Sequence, residues 1–242
     1  MAIAPNIDLS AHIRRPLTVS PEHSGLEAIP ALSGLPPTLL AALAASGAVR
    51  RFSRHGVVAS EGHVPLQVFI VLRGKVRAVR RSSSGREVTL ETFSLGEFLA
   101  DALTGRPLSN DWEACEPTEL LAVGRDAFAS QLQAAPSLGL LLVTQALGRL
   151  ERSKSLAAGL ALADVSERVV GSLRNLATAS GKEVPEGVAV LNRPTQQDLA
   201  NSIGACRETV SRVISELARK GLISLKGRSM IVSRELLADE RH

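Results

Sequence analysis

Apolar and polar residues alternate with a period of two from about Arg51 to Val123. Val68, Ile70 and Leu72 share one strand face, and Val88, Leu90 and Thr92 share another. Gly56, Gly62, Gly74, Gly85 and Gly96 punctuate this stretch at spacings of six, twelve, eleven and eleven, with Arg73-Gly74-Lys75 and Ser83-Ser84-Gly85-Arg86 as hairpin tips. Short strands closed by regular turns predict a small antiparallel barrel within residues 31–135. At Pro136 the period lengthens. From there to about Ala161 the chain reads as one helix, with Leu140, Val143, Leu147, Leu150, Lys154 and Ala157 on a three-four-three-four-three seam. Such a seam suits pairing with a second copy over residues 136–162, and packing on the chain's own barrel is its other fate. Lys154 interrupts its apolar character.

A helix from Val165 to Ala179 and a turn-rich stretch from Gly181 to Asn192 lead into the most informative segment, within a C-terminal domain at 163–242. Thr195 is an N-cap hydroxyl with Asp198 three residues on, which predicts a helix start. Leu199, Ala200 and Ile203 form that helix's apolar side, and Gly204 permits a sharp turn. Val210, Val213, Ile214 and Leu217 then hold a second helix against the domain. Arg207, Glu208, Ser211 and Arg212 fall off that stripe, toward the helix N-terminus. An arginine can bond guanine in bidentate fashion and a glutamate can accept from the cytosine amino group, each good contact discriminating by about 1 to 3 kcal/mol. The face therefore suits a DNA major groove, although an amphipathic helical hairpin with a solvated charged side has the same pattern. Two short strands, Gly221 to Leu225 and Ser229 to Ser233, flank the basic tip Lys226-Gly227-Arg228, and a helix-turn-helix followed by a hairpin is a winged helix. Between Arg193 and Arg234 eight Lys or Arg face three acids, a net of +5 in a chain whose whole is +4. Positive charge is concentrated where DNA would lie.

With 242 residues, 45% of them hydrophobic and 2% aromatic, the chain suits two modest domains with aliphatic cores, α+β in class. No apolar run reaches the roughly 18 residues of a membrane span, and Asp8, His12 and Arg14-Arg15 interrupt any signal-peptide core, so no membrane partner and a cytoplasmic location are expected. Residues 1–30, with Pro5, Pro16, Pro21 and Pro30, have no period and are expected to form a flexible arm. Cys115 and Cys206 are far apart in sequence and in different expected domains, which disfavours a structural disulfide.

The order of parts, from about Ala31 to the end, resembles the Crp/Fnr transcription regulators: an N-terminal jelly-roll barrel of cyclic-nucleotide-binding type, a long dimer helix and a C-terminal winged helix-turn-helix. The most specific element is Arg207-Glu208-Thr209-Val210-Ser211-Arg212, followed by Leu217, Gly221-Leu222-Ile223 and Gly227-Arg228. Gly96-Glu97-Phe98 is similar to the family's sensor domain. The resemblance implies base reading by Arg207, Glu208, Ser211 and Arg212 and phosphate contacts from Thr195, Gln197, Thr209 and Arg228. It also implies double-stranded DNA, a second copy of the chain and RNA polymerase as partners. Cyclic-AMP-responsive members read TGTGA-like half-sites and Fnr-type members TTGAT-like ones. With both Arg207 and Ser211 present, a G·C pair is expected and the flanking bases stay open.

The sensor departs from the family's nucleotide pattern. The glutamate that grips the ribose and the Arg that neutralises the cyclic phosphate fall, in this chain, at Ala100-Asp101 and Leu108-Ser109. A phosphate without its Arg loses a charge-assisted bidentate contact. Arg106 is two residues away but stiffened by Pro107, and the positions that would contact adenine are Ser153 and Lys154. Asp101, Arg106, Ser109, Ser153 and Lys154 are thus read as a degenerate effector pocket. No cysteine precedes Cys115, which excludes the family's iron-sulfur sensor, and two cysteines are too few for a four-cysteine cluster. A haem would need one of His12, His23, His55 or His63 as axial ligand. No cofactor or metal is expected.

A sequence-specific regulator with no effector, or a redox one, is the leading expectation. A cyclic-nucleotide- or haem-dependent signalling module of the same fold is the alternative. A DNA-processing enzyme lacks a phosphate loop, metal-ligand spacing or a carboxylate cluster. Cys206, before Arg207 at a positive helix end, reads as a candidate redox switch, and a small residue that merely fits is the other reading.

Overall fold

The computed structural model describes residues 25–83 and 87–238, which form two compact units. The first takes in the described residues up to Arg77 together with Thr92–Gln145; the second takes in Ala78–Glu91 and the described residues from Ala146 onward.

Eight strands make two four-stranded sheets: β1 Gly47–Phe52, β2 Val57–Ala59, β3 Gln67–Arg73, β4 Val76–Arg81, β5 Glu87–Phe93, β6 Phe98–Leu99, β7 Asp111–Ala114 and β8 Thr118–Gly124. Their orders are β1-β8-β3-β6 and β2-β7-β4-β5, a jelly-roll-like arrangement. β1 runs antiparallel to β8 from Gly47 opposite Val123 to Phe52 opposite Thr118. β3 is buried on both faces. Val68 and Ile70 join one core with Leu40, Leu43 and Phe128, while Phe69 packs edge-on against Trp112 with ring centroids 6.4 Å apart. On β5 the face carrying Leu90 is exposed and Phe93 is buried. Gly74 is required at its tip: its φ is 81°, and a Cβ there would lie 2.7 Å from the Pro117 carbonyl oxygen. The tip Ser83 to Arg86 lies largely outside the described residues.

Two helices not anticipated from the sequence close this core, α1 Pro37–Ser46 and α2 Arg125–Ala134. Pro37 at the first helical position supplies a preset φ where no hydrogen bond is lost. Leu39, Leu40 and Leu43 bury one side of α1, and Phe128 does so for α2. Packing begins earlier than Ala31. Leu26 and Ile29 are 2% and 5% exposed and belong to the first core. Residues 1–24 of the expected arm lie outside the described residues.

The long helix α3 spans Pro136–Leu162, as the 3.5 period indicates. Its first turns are fixed by Leu138, fully buried, and by Gln145, which donates to the Gly96 carbonyl at 3.0 Å and accepts from the Phe98 N–H at 3.1 Å. The seam points to solvent in this chain: Leu140 is 70%, Val143 55%, Leu147 58% and Leu150 48% exposed.

In the second unit, α4 Val165–Ser180 starts on a reciprocal capping box between Asp164 and Glu167. The stretch from Gly181 to Asn192, read above as turns, is instead a hairpin of β9 Gly181–Val184 and β10 Gly187–Val190. Val188 and Val190, two alternating positions in this short glycine-bounded run, are buried. The helix-turn-helix follows as α5 Gln196–Ile203 and α6 Arg207–Arg219, then the wing of β11 Ile223–Lys226 and β12 Ser229–Ser233, and a last helix α7 Arg234–Ala238. The four strands order as β11-β12-β10-β9. Val169, Leu173, Leu199, Val210, Ile214, Met230 and Val232 are among the residues of the second core.

Candidate nucleic-acid interface

Thr195 accepts from the Asp198 N–H at 3.1 Å, and Asp198 accepts from the Thr195 N–H at 3.3 Å and from its hydroxyl at 2.7 Å. The cap thus fixes where α5 begins. At its other end Gly204 has φ 64°, and its N–H bonds the Ala200 carbonyl. A left-handed residue there turns the chain sharply into α6. Arg168 on α4 clamps the same corner, its Nε donating to the Ile203 carbonyl at 3.1 Å and its Nη1 to the Ala163 carbonyl at 2.7 Å. The C-terminal end of α5 is therefore tied to α4 by backbone-directed bonds as well as by packing.

Along α6, Val210, Val213, Ile214 and Leu217 are 8% exposed or less. Off that stripe, Arg207, Glu208 and Arg212 are exposed and Ser211 is half-buried. Arg207, Glu208 and Ser211 line one open cleft together with Gln196, the first residue of α5. Gln196 was missed from the sequence, because its neighbour Gln197 was assigned the role and only the fold shows which of the two faces α6. Gln197 is exposed, and its Nε2 donates to Asn201 Oδ1 at 2.8 Å. Arg228 is exposed at the wing tip, where Gly227 has φ 56° and the Arg228 carbonyl accepts from the Arg193 N–H at 2.9 Å. Thr209 is half-buried.

Cys206 is the N-cap residue of α6 and exposed. Hydrogen bonds from the Thr209 hydroxyl and then the Thr209 backbone favour its thiolate and lower its pKa, against the opposing Glu208 charge. The cause differs from the sequence reading, which assigned the lowering to Arg207 and the helix end.

The expected effector residues are exposed. Asp101, Arg106 and Ser109 are all exposed in the first unit, and Ser153 and Lys154 are exposed on α3, with Lys154 bonded to Glu151 at 2.7 Å. Leu108 is 5% exposed, and its backbone pairs with Gly62 and His63 at 2.9 Å each. A side chain at that position points to the core. Glu97 accepts from the Ser94 N–H at 2.7 Å, an intra-turn bond. Among the described residues no group of three or more His, Cys, Asp or Glu could hold a metal, and no single helix is long and apolar enough to cross a membrane.

Residues 167–240 match the Crp-like helix-turn-helix domain family, and residues 49–135 match the cyclic nucleotide-binding domain family. The chain is 31% identical over 202 residues to the CRP-like cAMP-activated global transcriptional regulator of Mycobacterium tuberculosis, covering 83% of this chain and 90% of that one. It is 25% identical over 188 residues to the cAMP-activated global transcriptional regulator CRP of Pasteurella multocida, covering 76% and 89%. In three dimensions it is similar to the c-di-GMP responsive global regulator CLP of Xanthomonas campestris, with a TM-score of 0.71 at 23% identity over 82% of this chain and 99% of that one. The likeness to the Xanthomonas campestris regulator is one of fold.

Proposed function

This chain belongs to the Crp/Fnr family of transcription regulators, and from that premise we propose that it binds a nearly palindromic promoter site as a homodimer and needs no cyclic nucleotide to do so. The observation that carries the reading is the α6 surface: a buried apolar stripe fixes the helix, and Arg207, Glu208 and Arg212 stand exposed at its N-terminal half. That half is the part a recognition helix inserts into the major groove. Arg207, Glu208, Ser211 and Arg212 read base edges, with Glu208 and Arg212 on one G·C pair. Thr195, Gln197, Thr209 and Arg228 position the phosphates, and the basic wing tip adds sequence-independent affinity.

The exposed Leu140, Val143, Leu147 and Leu150 supply the dimer seam. Two recognition helices then meet half-sites about 34 to 36 Å apart. RNA polymerase is the partner that such a bound dimer addresses. The homologues are transcription regulators, not enzymes. The mycobacterial relative is cAMP-activated by its name, but here Leu108 is buried and Asp101, Arg106 and Ser109 are exposed. Without a buried cation a cyclic phosphate lacks its main anchor. Calorimetry with cyclic AMP and cyclic GMP, beside operator titrations with and without each nucleotide, tests this part. No heat at micromolar concentration and unchanged DNA affinity are expected, and nucleotide-dependent DNA binding would overturn it.

A further inference from the structure

Gln196 and Gln197 are adjacent at the start of α5, and helical geometry sends neighbouring side chains about 100° apart. They therefore meet different surroundings. Gln197 is exposed and gives an N–H to Asn201 Oδ1 at 2.8 Å, along its own helix. Gln196 is half-buried and borders two hollows. One is small and mostly apolar, with Leu199, Ile214, Leu225 and Met230 in its wall; the other is the open cleft shared with Arg207, Glu208 and Ser211. A glutamine suits such a border, its two methylenes on the apolar side and its carboxamide on the polar one.

On α6, Arg207 and Ser211 are four residues apart and form one ridge, and Glu208 and Arg212 form the next. Gln196 shares its cleft with both members of the first ridge and with Glu208 alone of the second. It therefore lies on the Arg207–Ser211 flank. The Glu208–Arg212 ridge is read above as holding a G·C pair, which leaves the base pair on the other flank to be decided. The first helix of such a unit crosses the DNA backbone, but here its first residue opens on the same cleft as the groove-reading side chains. A carboxamide offers a donor and an acceptor side by side. Adenine presents N7 as acceptor and N6–H₂ as donor on its major-groove edge, the pattern that a glutamine meets with two bonds at once. The Ser211 hydroxyl bonds either kind of edge and does not compete with that choice.

We propose that Gln196 is a specificity-determining residue: from the first turn of α5 it reads an adenine on the Arg207–Ser211 flank of the G·C pair in each half-site. The proposal rests on the reading of α6 as the recognition helix given above. The face that meets bases then spans two helices, and the Thr195 cap, by fixing where α5 begins, also fixes where the carboxamide stands. A phosphate contact is the competing role for the same side chain. The two differ in their sequence dependence: a base contact acts only on its matching pair, a phosphate contact on every sequence alike.

The test has two arms, both on the full chain. Selection from a randomised double-stranded pool by the wild-type protein should enrich, beside the G·C pair, an A·T pair at one fixed position of each half-site. Fluorescence anisotropy then compares the selected site with one in which that A·T pair alone is replaced by C·G. The wild-type protein should bind the replaced site about tenfold more weakly, the value of one good bidentate base contact. Gln196→Ala, a substitution that favours a helix, should bind both sites with equal affinity, close to that of the wild type on the replaced site, and should keep its preference for the G·C pair. An equal loss of affinity on both sites, or no loss on either, would leave the discrimination in place and overturn the proposal; the first result would mark a phosphate contact. A selected site with no A·T pair on that flank would overturn it too. In those cases Glu208→Ala and Arg212→Ala should still relax the G·C pair, and the reading of α6 stands. A pool left random, or a G·C preference indifferent to both of those variants, would overturn the reading of α6 and the proposal with it.

Discussion

The Sγ of Cys206 lies 2.9 Å from the Oγ1 of Thr209, across the first turn of α6. Bonds from Thr209 stabilise the charged thiolate, so the pKa is lowered and the thiolate fraction near neutral pH exceeds that of a free cysteine. Alkylation of Cys206 by iodoacetamide should therefore rise toward its plateau at lower pH than alkylation of a free thiol. Thr209→Val removes the hydroxyl and should move that rise back to higher pH. An unchanged profile would show that the hydroxyl has no hold on the thiol.

On the proposed DNA-binding reading, the same thiol would couple oxidation to DNA binding. Oxidised to a sulfinic or sulfonic acid, it would set a negative group against the phosphate backbone. Peroxide should abolish operator binding by the wild-type protein and spare Cys206→Ser, which retains Cys115. Equal loss in both proteins would remove Cys206 from this role.

On α6, Arg212→Ala should cost about 1 to 3 kcal/mol on the operator and relax preference at one base pair, because a base contact carries sequence information. At the wing tip, Arg228→Ala should weaken binding to all sequences alike and reduce the salt slope by about one, as expected for a lost phosphate contact. Titrations on operator and random DNA at several salt concentrations separate the two. Equal losses on both DNAs for Arg212→Ala would contradict its assignment.

A charge on the α3 seam tests the assembly. Leu147→Glu or Leu150→Glu places a carboxylate where an apolar partner face is expected, at positions that are already 58% and 48% exposed in the single chain. Folding of the single chain should be spared, and sedimentation should show monomers with much-reduced operator affinity. A monomeric variant with full affinity would take the seam out of the account.

Gly204→Ala tests the corner between α5 and α6. Its φ of 64° is one that side-chain-bearing residues adopt at a cost, and a Cβ there would stand 3.0 Å from Leu160 Cδ2. Thermal unfolding should report a loss of about 1 kcal/mol or more. No loss would mean that the turn relaxes freely.

Much of this fold was legible because its signals are local. Thr195, Asp198 and Gly204 mark the boundaries of α5 by cap chemistry, and Val210, Val213, Ile214 and Leu217 fix the buried side of α6 by spacing alone. The long helix followed from the seven-residue repeat of its seam. Less legible were elements whose identity depends on distant partners. The β9–β10 hairpin is short and glycine-bounded, and only pairing of β10 with β12 makes it a strand. Leu26 and Ile29 look like loop residues until the core they enter is known. Gln196 and Gln197 are adjacent and chemically identical, so only the fold shows that Gln196 lines the α6 cleft while Gln197 bonds Asn201. The Glu87 contact with Asn201 joins residues 114 positions apart and had no sequence signal at all.

The central claim is sequence-specific DNA recognition by α6, and selection from a randomised double-stranded DNA pool tests it most directly. The purified protein, with no nucleotide added, should enrich an inverted repeat whose half-sites are about one helical turn apart and share a G·C pair. Glu208→Ala should relax the preference at that pair. A pool that stays random under wild-type selection, or a repeat that Glu208→Ala and Arg212→Ala enrich unchanged, would contradict the account.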